Sequence, residues 1–523
     1  MGIPAEAPWP AGTYFLPEVM GAGVAFLDYD GDGDLDLLQA RMPPPGRAGE
    51  PAPKRLYRQE PGGVFADVTR QARLSDTAFG QGLAVADADN DGDVDLYFAN
   101  YGRDSFWLNA GDGTFRDATA RAGIADERWS AAATFCDYDR DGWLDLYVVR
   151  YLRVDYRGPC RASSGAPDYC GPATFDGVAD SLYRNAGDGT FTDVSAAAGI
   201  LPADGGRKAK GLGVVCLDLS GDGWPDFFVA NDGEANHLWV NRRDGTFVEQ
   251  GVERGVAVNR HGRAEASMGV AVGDVEGNGR LDLLLTHLSL ENNTLYSGGA
   301  GTFADRTVEA GMTEHDLPYT GFGCALFDFD HDGDLDFAVA NGKVRGVTME
   351  SLAPAASFWE RYAEPNQLFA NDGAGRFADA AAEAGPFSAA VEVSRGLAVG
   401  DVDADGDLDL AVSNADNSLR IYRNDAPPPG SHWLLVRALA GKRDALGAIV
   451  SVTAGGRRRS AVVLPGASYQ SSHDPRAHFG LGGAGFVDGI EVSWPDGRVE
   501  RFPAGPADRE LVLRSGAGEA VRP

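Results

Sequence analysis

From residue 24 to residue 425 the chain alternates between two short patterns of apolar and polar positions. In one, a nine-residue polar loop separates two apolar runs, as in VAFL-DYDGDGDLD-LLQA at 24–40. In the other, apolar and polar residues alternate around a Gly-rich turn, as in LYRNAGDGTFTDVS at 182–195. Short runs of Val, Leu, Phe and Tyr bounded by Gly, Asp and Asn read as strands, and alternation around a Gly-Asp-Gly turn reads as a hairpin. Each repeat therefore predicts two strands joined by the polar loop and two joined by the hairpin turn.

The second pattern recurs at 56–69, 107–119, 238–247, 295–307 and 368–380, and ends as IYRND at 421–425. A four-stranded unit repeated in this way is the signature of a propeller. The expected fold is all-β: a seven-bladed β-propeller over 11–425, with a calcium loop in every blade. The last copy lacks its fourth strand, and AGTYFLPEV (11–19) is expected to supply it and close the ring. Closure would protect the edges of the first and last blades. After a PPPG linker (427–430), WLLVRAL, AIVSVTAG, SAVVLPG and GIEVSWP predict a small antiparallel β domain at 431–513.

The polar loops carry the candidate chemistry. Oxygen-bearing side chains recur at loop positions one, three, five and nine. They are Asp28, Asp30, Asp32 and Asp36; Asp87, Asp89, Asp91 and Asp95; Asp137, Asp139, Asp141 and Asp145; and Asp218, Ser220, Asp222 and Asp226. The series continues with Asp274, Glu276, Asn278 and Asp282; Asp328, Asp330, Asp332 and Asp336; and Asp401, Asp403, Asp405 and Asp409. Gly holds the sixth place and permits the sharp turn that wraps a short loop around one hard cation. Calcium accepts about six to eight oxygens in loose geometry and suits such a loop better than magnesium, so up to seven Ca2+ are expected. An EF-hand starts alike but needs Glu at the twelfth place, where this chain has Gln39, Phe98, Val148, Val229, Leu285, Val339 and Val412. The loops at Asp218 and Asp274 carry three acidic residues each, against five in those at Asp28, Asp87, Asp328 and Asp401, which predicts weaker binding there.

The formal net charge is −31, and the seven loops hold 30 of the 77 acidic residues. The acidity is thus gathered at the proposed metal sites, and no basic footprint suits a nucleic acid. No apolar run reaches the roughly 18 residues of a membrane span. The first residues do not form a signal peptide, so an export signal would have to come from a longer precursor.

Long insertions at 42–54, 151–181 and 343–366 fall on the face opposite the loops. There Arg41, Arg150, Lys210, His261, His287 and His315 are the candidate ligand contacts, and an exposed patch including Trp129, Trp359 and Tyr362 would mark a binding surface. Cys160 and Cys170, ten residues apart in a Gly- and Pro-rich insertion, are expected to form a disulfide, which implies an oxidising compartment. Cys136, Cys216 and Cys324 sit on apolar strands and read as buried thiols. His473, Asp474 and Arg476 read as polar residues of a turn. No GxSxG elbow, P-loop or dinucleotide fingerprint occurs, so no catalytic residue is assigned.

At its loop motifs the chain resembles the FG-GAP/VCBS propellers, and more closely the cartilage acidic protein-like family with an ASPIC/UnbV domain. The C-terminal resemblance runs from HWLLVRALAG at 432 to SWPDGRVERF ending at 502, with GASYQSSHDPRAHFGLG (466–482) its most specific piece. CRASSGAPDYCGP (160–172), GLGVVCLDLSGDGWPDFFVAND (211–232) and THLSLENNTLY (286–296) are also similar. The resemblance implies an extracellular or periplasmic calcium-binding protein. The expected function is a binding, adhesion or scaffold module for a glycan, peptide or extracellular protein. The alternatives are a secreted enzyme acting on a natural product or sugar, with Arg41, Arg150, Lys210 and His287 lining the channel mouth, and a purely structural exported repeat protein.

Overall fold

The computed structural model describes residues 12–156, 158–162, 165–202, 205–345 and 358–521. Among them, seven antiparallel sheets follow one another along the chain. The first comprises Val24–Leu27, Asp36–Gln39, Arg55–Glu60 and Val64–Asp67, in that spatial order. Five more four-stranded sheets repeat the plan, and the seventh has three strands, Ser394–Gly400, Asp409–Asn414 and Leu419–Tyr422. The opening strands pack side by side in chain order, and Ser394–Gly400 returns to lie beside Val24–Leu27. A Cβ at Gly82, Gly213, Gly323 or Gly396 would collide with a neighbouring strand or with an inserted segment. Glycine at these places lets backbones meet at the centre.

Residues 11–19 do not form the expected closing strand. Residue 11 lies outside the described residues, and Leu16–Met20 is a short, wholly buried helix. Pro17 has no N–H to give a ladder, and Leu16, Val19 and Met20 recur at helical spacing. The helix plugs the centre of the face away from the acidic loops, in one cluster with Trp129, Tyr151, Phe322 and Tyr362. Arg395, fully buried, pins it there. Its guanidinium donates to the carbonyls of Val19 (2.6 Å), Gly342 (2.9 Å) and Lys343 (3.0 Å) and lies 4.0 Å from the Phe322 ring centroid.

The C-terminal part packs two sheets around Leu434, Val450, Val452, Phe479, Ile490 and Trp494. It is not purely antiparallel, because His432–Ala440 pairs parallel with Arg509–Arg514. A parallel pair needs a long crossover, and the second sheet, built largely from 449–502, provides it.

One segment of this domain leaves it and threads the centre of the seven sheets. Leu83 N–H donates to the Gln470 carbonyl (3.1 Å), Phe26 N–H to Ser472 (3.3 Å) and Val270 N–H to Ser468 (3.2 Å). Cys324 N–H donates to Ser468 Oγ (3.0 Å), and Asp474 N–H to the Val399 carbonyl (2.9 Å). Tyr469, fully buried, packs edge-on against Phe322 with ring centroids 4.9 Å apart and donates its hydroxyl to the Met20 carbonyl (3.1 Å). The segment thus spans the centre from the acidic-loop face to the helix that plugs the other end.

Candidate functional site

The seven acidic loops share one hydrogen-bond plan. The first Asp accepts the N–H of the sixth-place glycine, at 3.2 Å for Asp28 and Gly33 and 2.7 Å for Asp274 and Gly279. That glycine lies at φ between 81° and 104° in all seven loops, a region that glycine enters without the Cβ penalty. The fifth residue accepts from the seventh N–H, as Asp32 does from Asp34 (3.0 Å) and Asn278 from Arg280 (2.9 Å).

The ninth Asp has a role that its spacing did not show. One carboxylate oxygen accepts the loop's second N–H while the other accepts an N–H of the third strand. For Asp95 the donors are Ala88 (3.0 Å) and Asn109 (2.9 Å), and for Asp409 they are Val402 (3.0 Å) and Asn424 (2.8 Å). The third-strand asparagine then reaches the preceding sheet. Asn109, Asn185, Asn241, Asn371 and Asn424 each donate Nδ2 to a loop carbonyl there, of Tyr29, Ala88, Tyr138, Val275 and Phe329, at 2.8–2.9 Å. The equivalent residues in the first and fifth sheets are Gln59 and Gly298. The recurrence of Asn before the hairpin turn was the available signal.

Carboxylates converge in five loops. Ligand atoms of Asp28, Asp30 and Asp32 lie within 4.8 Å of one another, as do those of Asp87, Asp89 and Asp95. The same holds for Asp137, Asp139 and Asp145, for Asp328, Asp330 and Asp332, and for Asp401, Asp403 and Asp409. Oδ1 of Asp30, Asp89, Asp137, Asp328, Asp401 and Asp403 is buried without a hydrogen-bond partner, and so is Ser220 Oγ. Burial, reinforced by neighbouring carboxylates, pushes Asp36 and Asp328 up to about 8 and Asp336 to about 9. Oxygens with no donor and acids that resist ionisation fit a bound hard cation, which would satisfy both.

The C-terminal domain covers this face. Lys442 Nζ donates to the Asp91 carbonyl (2.9 Å), and Arg459 to the carbonyls of Gly333 (3.1 Å) and Asp332 (3.3 Å). Arg443 Nη2 lies 3.4 Å from Asp137 Oδ2, and Arg457 pairs with Asp334. His478 Nε2 meets the Gly406 carbonyl at 2.8 Å. His473 Nδ1 accepts Val399 N–H (3.1 Å), and Asp474 pairs with Arg476 (2.8 Å) where the inserted segment returns to its domain.

On the opposite face the six candidate contacts do not converge. Arg150 is fully buried, pairing with Asp104 (2.6 Å) and Asp126 (3.3 Å). His287 is buried near Glu265 (3.9 Å), with its pKa pushed down to about 4 by burial. Lys210 pairs with Glu234 (3.4 Å) and exposed His315 with Asp379 (3.4 Å). His261 sits on an exposed turn, and Arg41 is half-buried beside Gly80. Trp129, Trp359 and Tyr362 are buried with the helix and the insertions rather than exposed as a patch. A cavity of about 300 Å³ does open beside them, lined by the neighbours Tyr151, Asp232, Leu288, Lys343 and Arg345.

Cys160 and Cys170 form the expected disulfide, and Cys324 is a buried thiol. Cys136 and Cys216 are not thiols. They are bridged between the opening strands of the third and fourth sheets, with Cα atoms 6.2 Å apart. Eighty residues separate them in the chain, so the juxtaposition exists only once neighbouring sheets are packed. Among the described residues no helix is long and apolar enough to cross a membrane.

Residues 28–98, 87–148 and 218–285 match the FG-GAP-like repeat, and 438–520 match the ASPIC and UnbV domain. Cartilage acidic protein 1 of Homo sapiens is 27% identical over 95% of this chain and 72% of its own length. The Xenopus tropicalis protein of that name is 26% identical over 95% and 73%. Among solved structures, the BP39L lectin from Burkholderia pseudomallei covers 78% of this chain and 97% of its own, at 11% identity and a TM-score of 0.45. So loose a likeness carries no argument about a ligand. The chain thus carries FG-GAP-like repeats and an ASPIC and UnbV domain, and along most of its length it is similar to cartilage acidic protein 1.

Proposed function

We propose that the protein is an exported, seven-bladed β-propeller loaded with calcium, acting as a binding or scaffold module for a glycan, a peptide or an extracellular protein. The observation that carries the calcium reading is the set of buried, donorless carboxylate oxygens at loop positions one and three. Asp28, Asp87, Asp137, Asp328 and Asp401, with their partners at positions three, five and nine, would hold the ions, and a bound cation would supply the positive charge that each cluster lacks. The cycle of opening strands supports seven blades. Two disulfides support an oxidising compartment. With the acidic face covered by the C-terminal domain, the opposite face is left to meet a partner.

Elemental analysis of the purified protein before any chelator tests the reading. Several calcium ions per chain are expected. A chain free of calcium, or one whose only stoichiometric metal is copper, iron, zinc or manganese, would overturn it.

A further inference from the structure

Beside the plugging helix, residues from the third to the sixth sheets enclose the cavity of about 300 Å³. Its walls are mostly apolar, with Met268 and Leu288 among them, and one carboxylate faces it. Asp232 is 6% exposed. Its Oδ2 accepts the Tyr151 hydroxyl at 2.5 Å, while Oδ1 is buried and meets no donor. A buried carboxylate oxygen without a donor costs the fold free energy that a ligand N–H or O–H would return. Two cations stand on the same cavity. Lys343 lies 3.3 Å from Glu364, and the positive charge of Arg345 is felt at Asp232. The Arg345 guanidinium rests so closely on Gly171, next to disulfide-bonded Cys170, that a Cβ at that glycine would collide with it.

We infer that this cavity binds a small zwitterion with an apolar body, of the class of the free aliphatic amino acids. The ammonium donates to Asp232 Oδ1, the side chain lies against Met268 and Leu288, and the carboxylate faces Lys343 and Arg345. A lone carboxylate in an apolar cavity would select any amine. The cations Lys343 and Arg345 on the same cavity restrict the choice to a molecule that carries both charges. The inference rests on the proposed function only in treating the face away from the acidic loops as the binding face.

Calorimetry on the full, calcium-replete chain decides it with three probes: L-leucine, isoamylamine, which lacks the carboxylate, and 4-methylpentanoate, which lacks the amine. Leucine is expected to bind and each truncated probe to bind at least about tenfold more weakly. Asp232→Asn should weaken leucine by about tenfold or more while leaving 4-methylpentanoate unchanged. No heat from any probe up to about 10 mM, or equal affinity for leucine and 4-methylpentanoate, overturns the inference. The probe series on the unmutated protein remains decisive even if Asp232→Asn fails to fold. A calcium-loaded protein that ignores all three probes refutes this site alone, whereas a calcium-free protein refutes the proposed function first.

Discussion

Replacing Tyr469 tests whether the inserted segment holds the seven sheets together. The ring is fully buried against Phe322, and its hydroxyl is bonded to the Met20 carbonyl. Tyr469→Phe keeps the ring and removes one buried hydrogen bond, a loss of about 1 to 1.5 kcal/mol. Tyr469→Ala empties a ring-sized site between rigid sheets, and large aromatic truncations of this kind cost about 3 to 5 kcal/mol. The alanine variant should therefore lie about 1.5 to 4 kcal/mol below the phenylalanine variant in denaturant melts. Hydrogen exchange followed by mass spectrometry gives the local readout. Amides of Phe26, Leu83 and Val270 donate to the segment, so they should exchange faster in Tyr469→Ala and near the wild-type rate in Tyr469→Phe. Alanine melts within about 0.5 kcal/mol of wild type, or unchanged exchange at those three amides, would refute the reasoning.

Other outcomes follow from the same structure. Excess chelator should lower the melting temperature substantially, because a ligand at a thousandfold over its Kd contributes about 4 kcal/mol per site; an unchanged melt would sink the calcium reading. Arg150→Met leaves buried Asp104 unpaired and should cost about 3 to 5 kcal/mol, with part recovered in the double variant that adds Asp104→Asn, read as denaturant midpoints. His287 has its folded pKa pushed down to about 4 from an ordinary 6.5. The unfolded chain therefore takes up the proton first, and stability present above about pH 6.5 should fall as the pH drops towards 4, by about 3 kcal/mol from this group. His287→Gln should flatten that limb of the pH–stability curve, and a limb of equal slope would exclude the histidine. Alkylation of the denatured, unreduced protein should label one cysteine per chain, Cys324; three labels would remove the Cys136–Cys216 bridge.

The acidic loops and hairpins were legible because each is local and repeated, so spacing alone located their strands. What the sequence did not reveal depends on packing between distant segments. The 466–474 stretch has no periodicity, and its ordered shape is set by amides from several different sheets. Leu16–Met20 was misread because a short apolar stretch suits strand or helix equally, and burial under Arg395 decides between them. Trp359 and Tyr362 read as part of a surface patch because they lie in the 343–366 insertion, and Trp129 because it lies on the same face. All three are buried instead in one cluster with the helix and residues from several sheets. Arg150 and His287 were candidates on this face, yet the cavity is lined by the residue after each, Tyr151 and Leu288.

The asparagine bonds between sheets have a mechanical consequence. On the acidic-loop face five junctions carry one, while the junction of the fourth sheet with the fifth and that of the seventh with the first do not, since Gly298 and Gln59 stand where the asparagine would; on the opposite face Asn417 donates Nδ2 to the Met42 carbonyl (2.8 Å) across the seventh–first junction. These two seams lie on opposite sides of the cycle and divide it into an arc of four sheets and an arc of three. The inserted segment bonds to both arcs, through Leu83 and Phe26 on one and Val270 and Cys324 on the other. It fastens the two arcs across seams that otherwise keep other bonds, Arg254 to the Gly301 carbonyl at one and Asn417 to the Met42 carbonyl at the other, so a pull that extracts the C-terminal domain should loosen the circle at those seams before any sheet comes apart.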